Sequence, residues 1–116
     1  MVIDLKFLNR SFVLQKILKY VQASSEWVVI VCPSTKVSAE CSRYIAAALP
    51  DKAKFSGRTA IFSGGGRMSV CAATEPVFLP DNTHFTTSFV GWEGEKRVEA
   101  MLKWQEAADK TFKISA

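Results

Sequence analysis

Residues 32–36, Cys-Pro-Ser-Thr-Lys, place two hydroxyls and a lysine directly after an unbroken apolar run from Val28 to Val31. A strand that delivers Ser34 and Thr35 to a helix start, with Lys36 in the first turn, offers N–H groups, hydroxyls and a positive charge to an anion such as phosphate. The same residues also serve as ordinary N-caps, which satisfy a helix's first amides without any ligand. Cysteine-phosphatase chemistry would need an arginine close behind the cysteine, and the first arginine after Cys32 is Arg43.

A second candidate is the run Phe62 to Val70, in which Gly64, Gly65 and Gly66 precede Arg67. Consecutive glycines let backbone approach a ligand closely, and Arg67 could neutralise a phosphate. The run lacks the GxxxxGK[ST] spacing of a phosphate loop and is flanked on both sides by strand-like residues, which fits a hairpin turn. His84, the only histidine, sits with Asp81 and several hydroxyls in DNTHFTTS. No G-x-S-x-G turn exposes Ser88 as a nucleophile, so His84 reads as a loop histidine. Among the aromatics, Trp92 stands beside a glycine turn with Phe78, Phe85 and Phe89 around the preceding loop. An exposed Trp92 beside Arg58 or Arg67 would give bases a ring to stack on, whereas aromatic residues in general fill cores. The anion-binding candidates are therefore Ser34, Thr35, Lys36, Arg58 and Arg67, and the partner-binding candidates Gly65, Phe78, His84 and Trp92.

Cys32, Cys41 and Cys71 are odd in number and lack metal spacing, so neither disulfides nor zinc are expected, and all three read as small core hydrophobes. The carboxylates show no paired-acid or divalent-metal arrangement; no cofactor is expected. The formal charge of +4, with a pI near 9.1, permits nucleic acid without requiring it. Lys52, Lys54, Arg58 and Arg67 form one basic stretch. A second, Lys96, Arg97, Lys103, Lys110 and Lys113, alternates with Glu93, Glu95, Glu99, Glu106 and Asp109 as a solvated helix face does.

The elements that must position these residues spell an α/β fold. Leu14, Ile17, Leu18 and Val21 make the apolar stripe of a helix that runs from an N-cap at Asn9 or Ser11 to about Ala23. A buried strand at 27–32 follows, then a helix from Lys36 to Leu49 carrying Val37, Cys41, Tyr44, Ile45 and Ala48, ended by Pro50. Residues 51–58 read as a polar connector. Strands at 59–63 and 67–72 form a hairpin, residues 74–83 a surface loop, and 85–90 a further strand. A helix then runs from Glu93 or Glu95 to about Lys110, and the tail is a last short strand or frayed. The expectation is one α/β domain over residues 1–116, a small mixed sheet of four to five strands packed by three helices. With 116 residues, 48% hydrophobic composition and no apolar run near the ~20 residues of a membrane span, a soluble cytoplasmic protein without membrane contact is expected.

The order RSFVLQKILKYVQAS, VVIVCPST, KVSAECSRYIAAAL, TAIFSGGGRMSV, FTTSFVGWEG resembles the core of the additional-strand P-loop ATPases, the class that includes phage packaging terminases and helicases. The resemblance spans residues 9 to 94. Where that family carries its phosphate loop this chain has KFLNRS, and where it carries paired acids this chain has Val90-Gly91-Trp92-Glu93. What the resemblance implies is a non-hydrolytic relative, such as a phage accessory protein. The leading expectation is accordingly a non-enzymatic binding module acting through a protein or nucleic-acid partner, with the glycine hairpin and the Trp92 loop as its surface. The alternatives are a small phosphate- or nucleotide-handling enzyme using residues 32–36, and a homo-oligomer subunit.

Overall fold

A computed structural model describes residues 2–3, 10–49, 53–56, 58–74, 79, 83–92, 99–111 and 114–115. Helix α1, Arg10–Gln22, forms because Val13, Leu14, Ile17, Leu18 and Val21 recur on one face and are buried, while Gln15, Lys16, Lys19 and Gln22 face solvent. Strand β2, Trp27–Cys32, follows; β1 is the two-residue piece Val2–Ile3. From Val28 to Cys32 every residue of β2 is buried, as a central parallel strand covered on both faces requires. Helix α2, Thr35–Ala48, is capped by Ser34, whose side chain accepts a hydrogen bond from the Val37 amide at 3.3 Å.

Strands β3 (Lys54–Ser56), β4 (Thr59–Ile61), β5 (Arg67–Ala72) and β6 (Thr86–Phe89) come next, followed by helix α3 (Glu99–Ala107), β7 (Lys110–Thr111) and β8 (Ile114–Ser115). The main sheet runs β3-β4-β5-β2-β6-β7. Strand β2 is parallel to β5 on one side and to β6 on the other, whereas β4 pairs antiparallel with β5 and with β3. Strands β1 and β8 pair separately and antiparallel.

The register sorts the side chains into two cores. Val28 pairs with Met68 and Ile30 with Val70, and these four, with Cys32, face α1 and α2. Val29, Val31, Cys71, Phe85 and Phe89 face the other way, against Ala100, Met101 and Trp104 of α3. Each fully buried aliphatic side chain contributes about 1.5–3 kcal/mol. The result is an α/β/α layering with a Cα radius of gyration of 13.1 Å, near the ~13 Å of a packed domain of this length.

The expected α/β architecture, a small mixed sheet packed by three helices, is what folds. Two elements differ in detail. Residues 54–56 form an edge strand where a polar connector was expected, because β4 offers them a free edge to pair with. The last helix is described only over Glu99–Ala107, and Lys110 belongs to β7, paired with Thr86. Most of the expected loop at 74–83 lies outside the described residues. No helix among the described residues is long and apolar enough to cross a membrane.

Candidate functional site

The parallel strands β5, β2 and β6 all end at one edge of the sheet, and three features of the site gather there. The turn after β2 delivers Pro33, Ser34 and Thr35. Ser34 sits in extended geometry at φ −146°, its hydroxyl taken up by the cap and its carbonyl accepting from the Ser38 amide at 3.0 Å. Thr35 and Lys36 are exposed in the first turn of α2, at the positive end of its dipole.

Thr35, Ser38, Ala39, Ser42 and Arg43 follow one another at i, i+3, i+4, i+7 and i+8, and this face of α2 lines a groove of about 370 Å³. Arg58, from the turn between β3 and β4, and Ala72, the last residue of β5, close its other side. Arg58 reaches this position because its carbonyl accepts the Val70 amide at 2.9 Å, which ties the turn to β5. Two exposed guanidinium groups and three hydroxyl-bearing residues thus share one groove. Of the anion-binding candidates, the fold brings Thr35 and Arg58 together and adds Arg43.

Across the Pro33 turn a separate cleft of about 330 Å³ opens. It is lined by Pro33, Thr74, Trp92 and, from α3, Glu99, Lys103 and Trp104. Trp92, the aromatic singled out for possible exposure and partner binding, is instead buried at 8% exposure, its indole N–H donating to the Val31 carbonyl at 2.8 Å. The glycine before it turns the chain, with φ +85° at Gly91, and drops the ring onto the α3 side of the sheet, edge-on to Phe89 at 6.2 Å. Trp104 stands edge-on to Phe85 at 6.0 Å.

Arg67, Gly65 and His84 lie at the opposite edge, where the parallel strands begin, roughly 16 Å away along the strands. They share a polar pocket of about 530 Å³ with Glu26, Trp27 and Asp109. Its charged groups already answer one another. The Arg67 guanidinium stacks over the Trp27 ring at 5.1 Å, His84 Nδ1 lies 3.1 Å from an Asp109 carboxylate oxygen, and Tyr20 donates its hydroxyl to Glu26. Arg67 therefore does not flank Trp92, and the glycine hairpin and the Trp92 loop do not form one surface. Phe78 and Asp81 lie outside the described residues.

No protein-family model, curated protein or solved structure matches this chain.

The three cysteines are buried and not joined in disulfides, with Cys32 Sγ 3.9 Å from Cys41 Sγ between β2 and α2, so they pack as the small hydrophobes expected. Among the described residues no group of three or more His, Cys, Asp or Glu side chains converges on a point. Sequence reasoning missed Arg43, although its eight-residue distance from Thr35 places both on the α2 face opposite the apolar stripe. It also missed Trp104 and Thr74, which no local pattern connects to Pro33.

Proposed function

We propose that this chain is a non-catalytic nucleic-acid-binding module that grips the phosphate backbone in the groove along α2. The observation that carries the reading is the convergence of Arg43 and Arg58, from two separate elements, on a groove lined also by Thr35, Ser38 and Ser42 that begins at the positive end of α2. Arginine pairs with phosphate through two parallel N–H donors, and threonine and serine hydroxyls supply neutral contacts that fix register. The formal charge of +4 supports approach to a polyanion.

Fluorescence anisotropy with labelled single- and double-stranded oligonucleotides across a salt series tests this. Affinity should fall linearly with salt on a double-logarithmic plot. Arg43→Ala and Arg58→Ala should each weaken binding to all sequences alike and reduce the slope by roughly 1. Absence of binding at low salt, or binding indifferent to both substitutions, would remove the proposal. Arg43 is exposed, so Arg43→Ala should keep the wild-type melting profile.

A further inference from the structure

The cleft on the other side of the Pro33 turn has no part in backbone binding, yet it sits where α/β sheets open. After β2 the chain passes into α2, on the face lined by Ile30 and Val70; α3, the next described element after β6, packs on the face lined by Val29 and Val31. Strands β2 and β6 are neighbours, so the carboxyl edge parts between them, as it does at the switch point of doubly wound sheets.

We infer that this cleft receives one unstacked nucleobase, so that the preferred ligand is a single strand with a phosphate in the groove and a base stacked on Trp104, in a cleft whose wall includes the buried Trp92. The inference rests on phosphate binding in the neighbouring groove. Four observations carry it. Trp104, half-buried, is held before any ligand arrives by its edge-on contact with Phe85, and Trp92 in the cleft wall by its bond to Val31, so stacking on Trp104 costs little side-chain entropy. The volume, about 330 Å³, stands at the small end of ligand sites and suits a ring rather than a duplex. The residues lining it include Lys103, Glu99 and Thr74, which between them carry donors and acceptors such as a base edge demands and a bare anion would not. Finally, Pro33 lines the cleft and Thr35 lines the groove. They are two peptide steps apart, at most about 7 Å, so one nucleotide can reach both.

A duplex keeps its bases stacked and can fill only the groove; an abasic strand has nothing to place in the cleft. The experiment compares a short oligothymidylate, an abasic deoxyribose-phosphate strand of equal length and a duplex at one low salt concentration, by anisotropy and by intrinsic tryptophan fluorescence. The oligothymidylate should bind at least about tenfold more tightly than the abasic strand, as base–aromatic stacking provides, and should alone quench the tryptophans. Trp104→Leu should abolish both the excess affinity and the quenching while leaving the abasic affinity and its salt slope unchanged; Trp104→Phe, which restores a ring, should recover most of the excess.

Equal affinity for the oligothymidylate and the abasic strand, without quenching, would overturn the base site and leave the phosphate groove standing. Absence of binding by either strand would remove the groove, and the base site with it.

Discussion

Trp92 donates its indole N–H to the carbonyl oxygen of Val31, 61 residues earlier, at 2.8 Å. The same oxygen accepts the Val90 amide at 3.2 Å, so one carbonyl of the central strand holds both the end of β6 and the ring that follows it. That bond turns a glycine-flanked tryptophan, which in isolation reads as a surface ring, into a wall of the cleft.

Trp92→Phe should retain the edge-on contact with Phe89 but lose the hydrogen bond. Val31 keeps its amide partner, so the carbonyl is not orphaned and the cost should be about 1–2 kcal/mol. Trp92→Ala, which also empties the packed volume, should cost about 3–5 kcal/mol. Urea unfolding of both variants gives the comparison; equal midpoints for wild type and Trp92→Phe would show the bond to be energetically idle.

The glycines of the hairpin should differ sharply in tolerance. A Cβ at Gly66 would meet the Val21 carbonyl oxygen at 2.3 Å and the Ser24 carbonyl oxygen at 2.8 Å, where the turn packs under the end of α1. Both obstacles are backbone. Gly66→Ala should therefore destabilise by about 1–3 kcal/mol or more. Gly64→Ala, whose nearest neighbour would be the Gln22 oxygen at 3.8 Å, should stay within about 0.5 kcal/mol of wild type. Thermal melts that failed to separate the two would refute the close approach.

Thr87 Oγ1 and Ser88 Oγ are buried in β6 and find no hydrogen-bond partner among the described residues. A buried hydroxyl left unpaired costs about 1–3 kcal/mol relative to a methyl of the same shape. Thr87 lies level with Val29, on the α3 side of the sheet. Thr87→Val keeps its volume and should stabilise the fold by about 1 kcal/mol. A loss of stability in chemical denaturation would mean that the hydroxyl has a partner.

Ser34 joins stability to binding at one atom. Ser34→Ala removes the cap and should cost about 1 kcal/mol. Ser34→Asp keeps an acceptor for the Val37 amide and suits the helix dipole, so stability should be preserved. The added carboxylate stands beside the phosphate groove, however, and should weaken oligonucleotide binding severalfold, most at low salt. A rise in affinity with Ser34→Asp would contradict phosphate binding at this end of α2.

Local elements were legible because their causes are local. The stripe from Leu14 to Val21, the apolar run of β2, the serine cap and the glycine turn each write their geometry into adjacent residues, and each folds close to where its pattern places it. Lys54–Ser56 was not legible, since three residues with a single apolar side chain carry no period, and they form a strand because β4 presents an edge and the core takes up Phe55. The His84–Asp109 contact spans 25 residues and depends on β6 and the end of α3 lying side by side.

By itself, then, the sequence determined the α/β class, the identities of α1, β2, α2, β4, β5 and β6, the burial of the cysteines and a capping hydroxyl at Ser34 or Thr35, because periodicity, capping and turn chemistry act over a few residues. Tertiary structure alone decided which of the candidates meet. Parallel pairing of β5, β2 and β6 sends every residue at a strand's start to one edge and every residue at its end to the other. That is why Arg67, first in β5, stacks on Trp27 far from Trp92, while Arg43 and Arg58, separated by a helix end and a strand, face one groove.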